Sequence, residues 1–236
     1  MGGWDGMKCL ATVEAYNPRT NTWRSCLPLG QPRTEAVAGV VGGRLVVAGG
    51  YGGPDVGILT SVEAYTPTGW TPLPPLPHAT NEATACVLNG RLYVMGGMGC
   101  NKVQVLEMSE ENEFAWTVKA DLPTERFRAA SAVADGKIWL IGGRILDEDD
   151  EDDEDDEEDE EENGSETVSI YDPANDTWAE GPALPEKVEN GTATTFDGRI
   201  YLLAAAGGEF VYTEGAWEVF DGRAADFSTC GFLPLG

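Results

Sequence analysis

At 236 residues, with 42% hydrophobic and 24% charged positions, the chain carries enough apolar material for one all-β domain. Its formal net charge is −26, falling to about −10 once the acidic run at 147–162 is set aside. That balance excludes the basic footprint on which nucleic-acid binding depends. No apolar stretch approaches the roughly 18 residues of a spanning helix, and no secretion leader is legible, so no membrane partner is expected.

In chain order, one unit recurs. Gly pairs stand at Gly2-Gly3, Gly49-Gly50, Gly96-Gly97, Gly142-Gly143 and Gly207-Gly208, the last interval being lengthened by the acidic run. After each pair comes a bulky residue, at Tyr16, Tyr65, Met108, Tyr171 and Phe220. A Trp or Phe follows, at Trp23, Trp70, Trp116, Trp178 and Phe227. A Leu-Pro step closes each unit, from Leu27-Pro28 to Leu233-Pro234, and a basic residue comes next: Arg33, His78, Arg126 or Lys187. The last unit, WEVFDGRAADFSTCGFLPLG at 217–236, aligns with VEAYNPRTNTWRSCLPLG at 13–30. A period of this length marks a repeat architecture with one supersecondary unit per repeat.

Each unit reads as four short strands. In the second they fall at Thr34–Val41, Arg44–Ala48, Thr60–Thr66 and roughly Gly69–Leu73, and turn signals such as Gly42-Gly43 there and Asn89-Gly90 in the third support hairpins. Helical periodicity is missing throughout, so almost no helix is expected. Four-stranded antiparallel meanders packed radially make a β-propeller, with repeated Tyr and Trp between the blades. The first unit, 1–30, supplies only two outer strands. Blades are expected at about 31–77, 78–125, 126–185 and 186–236, making about four and a half blades of a partial propeller. Either strands upstream of Met1 complete the ring, or the assembly is open or five-bladed and exposes a strand edge.

Residues 147–162 are sixteen consecutive carboxylates. Mutual repulsion and the lack of apolar side chains predict a disordered loop, inserted between the second and third strands of the fourth unit. It is either a solvated insertion or an arm for a basic protein. Cys9, Cys26, Cys86, Cys100 and Cys230 show no metal-ligand spacing, which points to reduced thiols in a cytoplasmic or nuclear protein. Three glycosylation-like triplets, beginning at Asn163, Asn175 and Asn190, are read as chance matches. His78 is the one histidine, so no catalytic residue, metal ligand set or cofactor is assigned.

The segments GGWDGMKCLATVEAYNPRTNTW (2–23) and SIYDPANDTWAEGPALP (169–185) resemble kelch repeats, and the resemblance extends over nearly the whole chain. Departures are Met108 for the Tyr, Phe227 for the Trp, and His78 and Lys187 in the usual Arg place. The resemblance implies a kelch propeller, most similar in motif to kelch-like ubiquitin-ligase adaptors. In those proteins the basic slot and the residues after the Gly pair contact a substrate peptide. The matching post-glycine residues are Trp4, Tyr51, Met98, Arg144 and Glu209. The resulting expectation is a non-enzymatic protein-interaction module. A ring of Arg33, His78, Arg126 and Lys187 would take an acidic peptide segment, arginine forks pairing with carboxylates. Equally open, those residues make structural hydrogen bonds between blades. Two further readings remain: a scaffold or chaperone-like binder of basic proteins through the acidic loop, and an enzyme acting on a sugar-like ligand.

Overall fold

Alternating apolar residues and two-residue glycine turns produce antiparallel sheets throughout the computed structural model, which describes residues 1–145, 164–204, 209–213 and 215–219. A two-stranded sheet comes first, β1 (Glu14–Asn17) with β2 (Thr22–Ser25). The second sheet holds β3 (Val37–Val41), β4 (Arg44–Ala48), β5 (Val62–Thr66) and β6 (Gly69–Leu73). The third holds β7 (Thr84–Leu88), β8 (Arg91–Met95), β9 (Val103–Met108) and β10 (Phe114–Lys119). The fourth holds β11 (Ala130–Ala134), β12 (Lys137–Ile141), β13 (Val168–Asp172) and β14 (Thr177–Glu180). The fifth holds β15 (Thr192–Phe196), β16 (Arg199–Leu203), β17 (Glu209–Thr213) and β18 (Ala216–Val219). The four-stranded sheets are meanders, and β3, β7, β11 and β15 are successive neighbours along the inner side. No helix occurs among the described residues.

In every four-stranded sheet the first hairpin turns on two residues in the left-handed region. They are Gly42-Gly43, Asn89-Gly90, Asp135-Gly136 and Asp197-Gly198. That is the geometry whose twist matches a two-residue hairpin, and it suits Asn, Asp and Gly. The second strands β4, β8 and β12 are apolar on both faces because those blades pack on both sides, whereas in β16 Ile200 and Leu202 are buried and Leu203 is half exposed. In β8, Leu92 and Val94 join the core shared with the second sheet, while Tyr93 and Met95 join the core shared with the fourth. In β12, Ile138 and Leu140 face back to the third sheet, and Trp139 and Ile141 face the fifth. The core is therefore a series of interblade layers. Each fully buried aliphatic side chain contributes about 1.5–3 kcal/mol.

Two contacts repeat at every blade boundary. The first involves the Gly pairs. The second glycine donates its N–H to a carbonyl of the next blade: Gly3 to Arg33 O (2.8 Å), Gly50 to Thr80 O (2.8 Å), Gly97 to Arg126 O (2.9 Å) and Gly143 to Val188 O (2.7 Å). The first glycine makes room for that carbonyl; a Cβ on Gly49, at φ +64°, would lie 2.6 Å from Thr80 O. The second contact is made by the outer-strand tryptophans. Indole N–H groups of Trp70, Trp116, Trp178 and Trp217 donate to Leu27 O, Pro74 O, Ala120 O and Pro182 O of the preceding blade. Trp23, on the two-stranded sheet, has no such partner among the described residues and is 67% exposed.

The fifth blade corrects the sequence alignment at its outer strands. Its cross-strand aromatic pair is Tyr212 with Trp217, ring centroids 5.3 Å apart, in the register of Tyr65 with Trp70. Trp217 thus fills the Trp position instead of opening a repeat aligned with Val13. Phe220, Phe227 and Cys230 lie outside the described residues, as do Gly207-Gly208 and the acidic run 147–162, whose neighbours are β12 and β13.

Two predictions test these junctions by urea denaturation. Gly49→Ala should cost about 3 kcal/mol or more, since backbone blocks the new methyl group, whereas Gly43→Ala in open space should cost only the left-handed penalty of about 1–2 kcal/mol. Trp178→Phe should cost about 1–2 kcal/mol through the lost hydrogen bond to Ala120 O, and Trp23→Phe should change stability by less than about 0.5 kcal/mol.

Candidate functional site

The Gly-pair junction fixes what lies at the mouth of the central channel. Two residues beyond each accepted carbonyl the chain turns into an innermost strand, and the turning residue is left-handed: Glu35 (φ 54°), Glu82 (53°), Arg128 (54°) and Asn190 (52°). A backbone hydrogen-bond chain links these four residues in order. Glu82 N–H donates to Glu35 O (3.3 Å), Arg128 N–H to Glu82 O (2.9 Å) and Asn190 N–H to Arg128 O (3.0 Å). These four residues, with the small residue after each, line a cavity of about 280 Å³. Arg128 donates to Glu82 Oε1 from both Nε (3.0 Å) and NH2 (2.8 Å), and Asn81 Nδ2 donates to Glu35 Oε2 (2.9 Å). Burial does not neutralise Arg128; its hydrogen bond to Glu82 outweighs desolvation and raises its pKa above the usual arginine value.

The post-glycine loops form an outer rim beside these four residues. Trp4 bridges to Cys9 in the first, and Cys9 Sγ–H donates to Tyr51 O (3.3 Å) in the second. Tyr51 pairs with Thr34, Met98 N–H donates to Asn81 O (3.1 Å), and Arg144 pairs with Phe127. Trp4, Tyr51, Met98 and Arg144 are therefore brought together around the mouth. Met7, Val56 and Ile58 occupy the same loops, and with Trp4 and Met98 they are exposed apolar side chains. Glu209 differs: it opens β17, paired with Leu203, with no preceding loop segment among the described residues.

The expected basic ring does not form. Carbonyls received by the Gly pairs belong to Arg33, Thr80, Arg126 and Val188, so His78 and Lys187 lie two residues and one residue ahead of that slot. Arg33 is fully buried. Its NH1 donates to Gly49 O (2.6 Å) and Ser61 O (3.0 Å), and its NH2 to Ser61 Oγ (2.9 Å) and Glu63 Oε1 (2.8 Å). Glu63 also accepts from Gly30 N–H (2.7 Å). Thr80 takes over one of these bonds in the next blade, its hydroxyl donating to Gly96 O (2.7 Å). Arg126 is 2% exposed and donates to Thr167 O (3.1 Å), but Ser169 stands where Glu63 would. With no carboxylate beside it, burial lowers the Arg126 pKa to about 10. The structural alternative thus describes Arg33 and Arg126, and neither can meet an acidic peptide. His78 is exposed beside a separate cleft of about 450 Å³, near Lys102 and Glu125, and Lys187 is exposed just ahead of Val188.

Sequence reasoning missed Glu35, Glu82, Arg128 and Asn190. Their signal is the small residue that follows each one: Ala36, Ala83, Ala129 and Gly191. Aligning on that residue, in place of the nearest base, sets the correct register.

The contrast between the two buried arginines can be measured. Arg33→Met strands the buried Glu63 carboxylate and should cost about 3–5 kcal/mol by denaturation; Arg126→Met, removing a buried cation without a counter-charge, should change stability by less than about 1 kcal/mol.

A kelch motif family model matches residues 1–29, 32–77 and 125–185. The chain is 28% identical to mouse Kelch-like protein 35 over 146 residues, covering 61% of this chain and 25% of that protein. It is 33% identical to Kelch-like protein terF of Aspergillus terreus over 117 residues, covering 48% and 22%. Over 52 residues it is 42% identical to the human Influenza virus NS1A-binding protein, covering 22% and 8%. The chain thus spans about a quarter or less of the length of these relatives. Among solved structures, that of YjhT superposes with a TM-score of 0.73 at 14% identity, covering 93% of this chain and 79% of that one, a likeness of fold. With the motif matched over most of its length, and the Gly-pair junction built at each matched repeat, the chain belongs to the kelch-repeat family.

Proposed function

We propose that this propeller is a protein-recognition module that takes its partner at the channel mouth and rim, as the substrate-receiving part of a ubiquitin-ligase adaptor does. The observation that carries this reading is the concentration of exposed apolar side chains on the rim loops. Trp4 (49%), Met7 (87%), Val56 (55%), Ile58 (43%) and Met98 (41%) stand in water beside a polar cavity. Apolar side chains grouped on loops around a rigid scaffold are the usual makings of a binding surface. Names among the relatives agree in kind, one being an NS1A-binding protein and another an F-box/kelch-repeat protein of Arabidopsis thaliana. An interaction role needs no catalytic group, and the mouth residues are held mainly by one another.

Panning a random-peptide library against the full chain tests the reading. Selected peptides should lose at least about tenfold in affinity on Trp4→Ala or Met98→Glu, typical of an interface anchor, and be unaffected by Val118→Asp on the outer strand β10. Ligands indifferent to both rim substitutions would refute it.

A further inference from the structure

The mouth holds more carboxylate than its own cation satisfies. Glu35, Glu82 and Glu189 surround Arg128, the one cation among the residues lining the cavity, Arg144 standing on the rim outside it. Arg128 spends two N–H groups on Glu82 Oε1 and comes only within 3.9 Å of Glu189 Oε1. The second oxygens, Glu82 Oε2 and Glu189 Oε2, are shielded from solvent and accept nothing; Asn81 Oδ1 beside them accepts nothing either. Glu82 decides the matter. Its side chain is only 8% exposed, it stands in the cavity wall, and a buried carboxylate oxygen without a donor is unfavourable. The neighbouring amides are directed elsewhere, Asn81 Nδ2 donating to Glu35 Oε2 and Asn190 Nδ2 to Glu189 Oε1 (3.2 Å). What this cavity lacks is positive charge carried on N–H donors.

Resting on the reading of the mouth as the partner site, we infer that it takes a lysine or arginine side chain projecting from the protein partner. An ammonium offers three donors and a guanidinium five, and either supplies what Glu82 Oε2 lacks while remaining within the field of Glu35 and Glu189. A cavity of about 280 Å³ suits one long side chain, leaving the flanking peptide to the apolar rim. The described carboxylates do not group as a metal ligand set, which favours a donor-bearing organic cation over a bare ion. The chain's charge of −26 also draws basic segments towards it before contact. The partner chemistry is thus the reverse of an acidic peptide. In a chain whose slot arginines are buried, the exposed mouth is left acidic.

The probes are acetyl-Gly-Arg-Gly-amide and acetyl-Gly-Glu-Gly-amide, titrated calorimetrically into the full chain at low salt. The arginine peptide should bind and the glutamate peptide should not. Glu82→Gln and Glu35→Gln should each weaken the arginine peptide by about fivefold or more, the scale of losing one close charge pair. Glu110→Gln, on the β9–β10 turn, should leave it within about twofold. Circular dichroism identifies any unfolding of Glu82→Gln, and Glu35, being exposed, keeps the test intact if that occurs. The inference is overturned if neither peptide binds, if the glutamate peptide binds equally, or if Glu35→Gln and folded Glu82→Gln keep full affinity. An equal loss from Glu110→Gln would also overturn it, by assigning the binding to the diffuse field of the chain. Rim-dependent library peptides lacking Lys and Arg would sink this inference and leave the rim reading standing.

Discussion

Everything at the channel mouth depends on one contact, a carbonyl of each blade seated on the Gly pair of the blade before. The second glycine binds that oxygen through its N–H, and the first must lack a Cβ for it to come so close. The requirement is stereochemical, so it repeats with little regard to what else a blade contains. Val188 occupies the slot as well as Arg33 does, because only the carbonyl is read. Once that oxygen is placed, the residue two positions later must turn left-handed to enter the innermost strand, and its side chain falls at the mouth. Scaffold and site are two ends of the same three-residue segment.

That division explains the chemistry. Below the junction, side chains are drawn inward to bond carbonyls of the Gly pair or of the residue hydrogen-bonded to it: Arg33 bonds Gly49 O and Ser61 O, Thr80 bonds Gly96 O, and Arg126 bonds Thr167 O. Above it, the mouth residues differ from blade to blade, as Glu, Glu, Arg and Asn. A buried cation below is a structural part; a carboxylate above borders the cavity. The tryptophans brace the periphery in the same backward direction, each blade bonding its predecessor, so packing and hydrogen bonding propagate together along the series.

The fold was largely legible because its determinants are local. Gly pairs, two-residue turns such as Asn89-Gly90, and strands apolar on both faces each dictate one feature wherever they occur. In the second blade the expected strands Arg44–Ala48 and Gly69–Leu73 are the ones observed. The site was less legible, for a physical reason. Charge attracted the alignment towards His78 and Lys187, but register is set by backbone packing, which follows the small residue and not the basic one. Exposure also could not be inferred from charge, since Arg33 is fully buried among carbonyls that the sequence pattern does not display. The fifth blade shows the same effect. Tyr212 and Trp217 keep the spacing of Tyr65 and Trp70, whereas the longer spacing of Tyr16 and Trp23 drew the alignment onto 217–236.

A structure of the full chain bound to a library-selected peptide is the most direct test of the account, because it shows where the ligand lies without relying on substitutions. Peptide density is expected across the rim between Trp4 and Met98, with one basic side chain entering between Glu35, Glu82 and Arg128. Density along the outer strands, or an acidic side chain seated in the mouth, would contradict it.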